Sequence, residues 1–288
     1  MRTLALCSLI ATLFGLSATS CTARQGTPDG GSGGNGDTGS GSTHDANRPD
    51  IGPLDDTGGC FDPIDLVFVL DVSTSMADEF AHLRDGIASI FTAADALTTD
   101  HAFSIVVFVD DVLVVDGCGQ FETAEALQAQ FDHWRTFCAS NGEPGGARAQ
   151  NGDCPENSID AIYDAATMCT WRPNATHVII HVTDDTFLES PAHFSNGLPA
   201  MHTYAETSAA LVANQIRVGA FAQQTPVFCG AGTSANTAQG FLESYDGMPS
   251  LPEATGGRAW DIADVRNGSL DMATAINELV ASSHCQAF

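Results

Sequence analysis

A doubly wound, mostly parallel α/β sheet flanked by helices is the fold class the sequence predicts, on three observations. Four short apolar runs rich in β-branched residues recur along residues 60–288, the pattern of parallel strands buried on both faces. Helix-length segments separate them. Two of the runs end on hydroxyl and carboxylate side chains, at the edge where sheets of this class gather ligands.

Residues 65–70 (DLVFVL) read as the first strand and 80–97 as the first helix. The second strand is 103–109 (FSIVVFV), followed by a helix over 122–137. A helix over 158–168 leads into the strand 177–182 (HVIIHV), and a helix over 204–214 leads into the strand 216–222 (IRVGAFA). Residues 269–281 close the chain as a last helix. One folded domain over 60–288 accommodates all of these elements, with no internal repeat.

The segment before that domain has a different composition. Met-Arg, an apolar run over 4–16 and then Ser17-Ala18-Thr19-Ser20-Cys21 read as an export signal over 1–20, too short to span a membrane. Cys21 after Ala-Thr-Ser resembles the lipobox of bacterial lipoproteins. That resemblance implies a lipid-anchored protein of the cell envelope or outer surface, with plain secretion as the alternative. Residues 21–59 are mostly Gly, Ser, Asp, Asn, Thr and Pro, a composition that cannot bury enough apolar surface to order itself. As a coil, a tether of this length holds the domain on the order of 35 Å from its anchor.

Acidic residues number 36 against 10 basic ones, for a formal charge of −26. A phosphate-tracking surface has almost nothing to build from, so nucleic acid is excluded as a partner. Every basic residue is arginine, which removes phosphate-loop, Schiff-base and kinase lysine chemistry together. An acidic excess of this size destabilises itself through repulsion, and divalent cations held by several oxygens relieve it efficiently. Beyond Cys7 and Cys21, seven cysteines remain in a domain expected to be exported. The preferred pairs are Cys60 with Cys285, joining the two ends of the domain, and Cys118 with Cys138, stapling the loop and helix after the second strand. Zinc is disfavoured, because no Cys-x-x-Cys or paired Cys/His spacing occurs.

The first strand runs into Asp71-Val72-Ser73-Thr74-Ser75, which places one carboxylate and two hydroxyls at alternate positions on the loop leaving the sheet. Read alone, such a triplet also caps helices and fills turns. The strand 177–182 ends on oxygens as well, at Thr183-Asp184-Asp185. Where these two strand ends lie side by side, Asp71, Ser73, Ser75 and Asp184 converge on one cation.

These residues resemble the metal-ion-dependent adhesion site of von Willebrand factor A domains, most closely the I-like domain of integrin β subunits. The resemblance rests on 65–79 (DLVFVLDVSTSMADE), 108–110 (FVD), 151–161 (NGDCPENSIDA) and 170–184 (TWRPNATHVIIHVTD). Hemicentin-type A domains share the Gly-Asp-Cys-Pro-Glu spelling of 152–156. The resemblance implies a central site of Ser73, Ser75 and Glu156, with Asp71 and Asp184 in or just behind the ion's shell. It further implies one flanking site of Asp78, Glu79 and the Ser75 carbonyl. A second flanking site would use Asp110, Asn151, Asp153, the Pro155 carbonyl and Glu156. Hard oxygen donors favour Mg2+ or Mn2+ at the centre and Ca2+ at the flanks.

The function this implies is divalent-cation-dependent protein binding or adhesion at the cell surface, the partner supplying an exposed Asp or Glu. A constitutive envelope scaffold is the alternative, and a metal-dependent hydrolase a more distant one. No nucleophile elbow, His-Glu-x-x-His or lysine phosphate loop occurs, so no enzyme is expected. His177 and His181, four apart on a strand and so facing the same side, read as packed or hydrogen-bonded residues rather than a metal pair.

Overall fold

The computed structural model describes residues 62–147, 154–229 and 233–288. The segments read as an export signal and a tether, with Cys21 and Cys60, lie outside the described residues. In chain order the main elements are β1 (Ile64–Asp71), α1 (Ala77–Leu97), β2 (His101–Phe108), β3 (Val112–Val114), α2 (Ala124–Cys138), α3 (Ser158–Met168) and β4 (Thr176–Val182). They continue with α4 (Tyr204–Ala213), β5 (Ile216–Ala222), β6 (Val227–Cys229), β7 (Thr233–Ala235), α5 (Leu251–Ala254), β8 (Arg258–Asp261), α6 (Ile262–Arg266) and α7 (Met272–Ser283).

The main sheet runs β3-β2-β1-β4-β5-β8, with β6 and β7 forming a separate antiparallel pair. Every pairing in the main sheet is parallel except that of β2 with β3. This is the doubly wound α/β sheet that the apolar runs predict. Strand order reverses at β1: the chain moves outward to β2 on one side and resumes at β4 on the other. The crevice beyond the carboxyl ends of β1 and β4 is therefore the switch point, where sheets of this class bind ligands.

β1 is buried along its whole length because both its faces are covered. Ile64, Leu66, Phe68 and Leu70 pack in the layer that includes Phe80, Phe131 and Ile276 of α1, α2 and α7. Val67 and Val69 pack in the layer with Ile159, Ile162 and Leu211 of α3 and α4. Phe68 and Phe131 meet edge to face, 5.4 Å between centroids. Gly86 lets α1 and α7 approach, since a Cβ there would lie 2.7 Å from the Ala273 Cβ. Asp65, the one acid inside β1's apolar run, is buried but paired: its carboxylate accepts from the Arg172 backbone N–H and from Nε, both at 2.7 Å. Among the described residues no helix is long and apolar enough to cross a membrane.

The structure adds elements the apolar pattern does not announce: the short edge strands β3 and β8, the β6–β7 pair, and the one-turn helices α5 and α6. It also corrects one cysteine pairing. Cys118 is bonded to Cys169, and Cys138 is a free, buried thiol. The reason is the sheet itself: Cys118 and Cys169 belong to the α3/α4 layer, whereas the C-terminus of α2 carries Cys138 into the α1/α7 layer opposite. Cys154 and Cys285 are also disulfide-bonded.

Candidate metal-binding site

The β1 terminus places Asp71 at the switch point, where it is fully buried. The chain then turns sharply. Asp71 Oδ1 accepts the Ser73 N–H at 2.8 Å, and a single 3-10 turn over Thr74–Met76 leads into α1. The turn brings Ser73 Oγ and Ser75 Oγ to 3.2 Å. From β4, Thr183 Oγ1 donates to Asp71 Oδ2 at 2.8 Å, while Ser75 Oγ donates to Asp184 Oδ1 at 2.8 Å. Asp71, Ser73, Ser75 and Asp184 are thus brought together across the two strand ends, with Thr183 tying them. Asp185 Oδ1 accepts the Thr186 N–H at 2.8 Å.

Burial, and next the neighbouring Asp184 carboxylate, push the Asp71 carboxyl up to about 8. Hydroxyls and carboxylates are the donor set that suits a hard divalent cation. Among the described residues no three His, Cys, Asp or Glu side chains group closely enough to hold a metal by themselves.

Glu156 is carried to the same edge by backbone stitching. Its N–H donates to the Thr186 carbonyl at 2.8 Å, and the next residue, Asn157, donates to the Val109 carbonyl at 2.7 Å. The side chain is buried. Pro155 immediately precedes it, and Asn151 and Asp153 lie outside the described residues. Asp110, at the exit of β2, is buried; its Oδ2 accepts from Asn196 Nδ2 at 2.6 Å. Asn196 also donates to Glu143 Oε1 at 3.2 Å, and Glu143 Oε2 accepts the N–H groups of Asp110 and Asp111 at 3.0 Å each.

Asp78 and Glu79 both lie in the first turn of α1. Asp78 is exposed, whereas Glu79 is 1% exposed and bonded to the Arg266 guanidinium. Arg266, at the end of α6, also donates through Nη2 to Asp184 Oδ2 at 2.8 Å.

Arg266, Glu143 and Asn196 are the residues that sequence reasoning missed. One signal for Arg266 was available: with ten arginines as the only fixed cations, a buried acidic cluster must recruit one of them. The two strand histidines stand apart from the site. His177 lies against the Arg172 and Asn214 carbonyls at 2.9 Å each. His181 packs between Phe108 and Phe241.

No protein-family model matches the chain. Over 145 residues, 43% of this chain, it is 28% identical to human integrin beta-4, and it spans 8% of that protein's length. Rat integrin beta-4 gives the same 28% identity over 140 residues, again 43% of this chain and 8% of the relative. Among solved structures, an aerotolerance-related membrane protein from Bacteroides fragilis aligns with 12% identity and a TM-score of 0.44, covering 76% of this chain and 99% of that one. Proximal thread matrix protein 1 from the mussel byssus aligns with 14% identity and a TM-score of 0.45, covering 76% and 46%. The sheet order, the helices on both faces and the integrin beta-4 match are consistent with a von Willebrand factor A or Rossmann-like fold.

Proposed function

We propose that the chain is a binding protein rather than an enzyme, one that captures a protein partner through a divalent cation at the β1/β4 switch point. The observation that carries this reading is the convergence of Asp71, Ser73, Ser75 and Asp184, from two non-consecutive strands, around Ser75 Oγ at 2.8 Å from Asp184. Ser73, Ser75 and Glu156 would hold Mg2+ or Mn2+, with Asp71 and Asp184 balancing its charge. Asp110, with Asn151, Asp153, Glu156 and the Pro155 carbonyl, would hold a flanking Ca2+. Bound at the centre, the ion supplies residual positive charge and a coordination position for an Asp or Glu of the partner, since two of its ligands are neutral hydroxyls. A display role at the cell surface, with Cys21 lipidated and 21–59 as the spacer, suits such a binder.

Water-proton relaxation with Mn2+ bound to the full chain tests this directly, because enhancement reports a coordination position open to solvent. Enhancement that Asp71→Ala abolishes, and that an Asp-containing peptide lowers by displacing water, supports the reading. Enhancement that is absent, or unchanged in Asp71→Ala, overturns it.

A further inference from the structure

A second binding feature lies beside this edge. Between α3 and the loop preceding α4 is a cavity of about 330 Å³. Its walls include Leu198, Pro199 and Met201, and its polar lining includes Asn157, Asp164 and His202. Met201 is 63% exposed at this surface.

The polar lining is dominated by carboxylates. Asn157 is 4% exposed; its amide nitrogen is engaged by the Asp110 carbonyl at 3.0 Å, and its Oδ1 is buried without a hydrogen-bond partner. A buried amide oxygen left so lacks the donor it would have in water, and Asn157 lines the cavity. The Asp164 carboxyl sits above its usual range chiefly through burial, with His202 opposing the rise and Asp160 adding to it. His202 is fixed by stacking on Tyr163 at 3.6 Å and by its Nδ1 contact to Asp160 at 3.0 Å. Asp111 and Asp160 add negative charge to the same lining, against which His202 is the one basic side chain.

We propose that this cavity seats the guanidinium of an arginine side chain carried by a protein partner. An arginine presents five N–H donors in a planar fork and no acceptor, matching the Asn157 amide oxygen and the Asp164 carboxylate. Its methylene stem matches the Leu198, Pro199 and Met201 wall. The occupant is an arginine rather than a metal, because the lining is largely apolar and its oxygens are spread around a side-chain-sized space. Asp110, proposed above for the flanking Ca2+, also lines the cavity; Asn157, Asp164 and His202 are outside the metal-holding set, so the arginine assignment goes beyond the cation reading of the β1/β4 edge and stands if that reading fails.

The test is an NMR titration of the full chain carrying 13C-methyl methionine, followed at Met201, with Nα-acetylarginine amide as probe and its citrulline counterpart as the neutral comparison. Expected is a saturable shift of the Met201 methyl, both in chelator and in Mg2+, with citrulline at least about tenfold weaker because it lacks the charge. Asp164→Asn should weaken arginine binding about tenfold, and Asp164→Lys should abolish it while the remaining methionine signals show the native fold. No saturable shift, an equal response to citrulline, a response present only with Mg2+, or one that survives Asp164→Lys would each overturn the assignment.

Discussion

The Arg266 guanidinium donates to Asp184 Oδ2 at 2.8 Å, on the opposite side of that carboxylate from Ser75, and the same guanidinium holds the buried Glu79. A resident cation thus already faces the edge where a divalent ion is proposed to bind. Asp184 has one oxygen toward the serines and one toward the arginine.

Replacing Arg266 separates these roles. Arg266→Gln should tighten Mn2+ binding about tenfold by releasing Asp184 from a competing charge. It should also cost the metal-free fold about 1–3 kcal/mol, because Glu79 loses its charged partner in a buried site. Manganese titration and urea unfolding read the two effects separately. Unchanged affinity would mean that Asp184 keeps Arg266 as its partner with the ion bound.

The Asn196 amide lies between two buried carboxylates, Asp110 and Glu143. Asn196→Ala should destabilise the protein in chelator by about 1–2 kcal/mol, because both acids lose a donor. Calcium should restore most of that loss if these carboxylates border the flanking site. Unfolding in urea with and without calcium measures it, and a loss that calcium leaves untouched would place any calcium elsewhere.

His181 gives a pH dependence of known sign. Burial pushes its imidazole down to about 3 from the ordinary 6.5. Below about pH 6.5 the unfolded chain therefore binds a proton that the folded chain refuses, so stability falls as pH drops through that window toward 3. By about pH 4.5 the loss from this residue is about 2–3 kcal/mol. His181→Phe, packed between Phe108 and Phe241, should remove that component of the slope; urea midpoints from about pH 7 to about pH 4.5 that fall equally in both proteins would count against it.

Cysteine chemistry should follow the two layers of the core. Non-reducing peptide mapping should recover Cys118 linked to Cys169. The Cys138 thiol, pushed up to about 12 by burial first and by Asp71 next, should resist iodoacetamide in the native protein and react on unfolding. A Cys118–Cys138 peptide would contradict the layer assignment.

The parts of this molecule legible in the sequence are those whose signal is local. β1, β2, β4 and β5 announce themselves because strands buried on both faces must be continuously apolar. Asp71, Ser73 and Ser75 are legible because a single turn after β1 holds all three, and Asp184 because it follows another such strand. β3 and β8 are edge strands of three and four residues with partly exposed side chains: β3 (VLV) is apolar but short, and β8 (RAWD) has no apolar run to reveal it. Asp78 and Glu79 were read together because the integrin-like resemblance implies it; in the fold Asp78 is exposed and Glu79 is buried against Arg266, a difference in burial that the spelling does not carry. Arg266 meets Asp184 across 82 residues and Asn196 meets Asp110 across 86, distances that only the folded topology closes. The Cys118 partner was hidden for the same reason, since which face of the sheet a loop cysteine reaches is decided by the crossover.

The central claim is that the Asp71 and Ser75 edge binds a divalent cation. Calorimetric titration of the metal-stripped full chain with Mg2+, Mn2+ and Ca2+, beside Asp71→Ala and Asp110→Ala, tests it most directly. The account predicts at least two binding events, with Asp71→Ala removing the Mg2+ or Mn2+ event and Asp110→Ala removing a Ca2+ event. Absence of binding by the wild-type chain, or an Asp71→Ala variant that binds Mg2+ and Mn2+ as the wild type does, would contradict it.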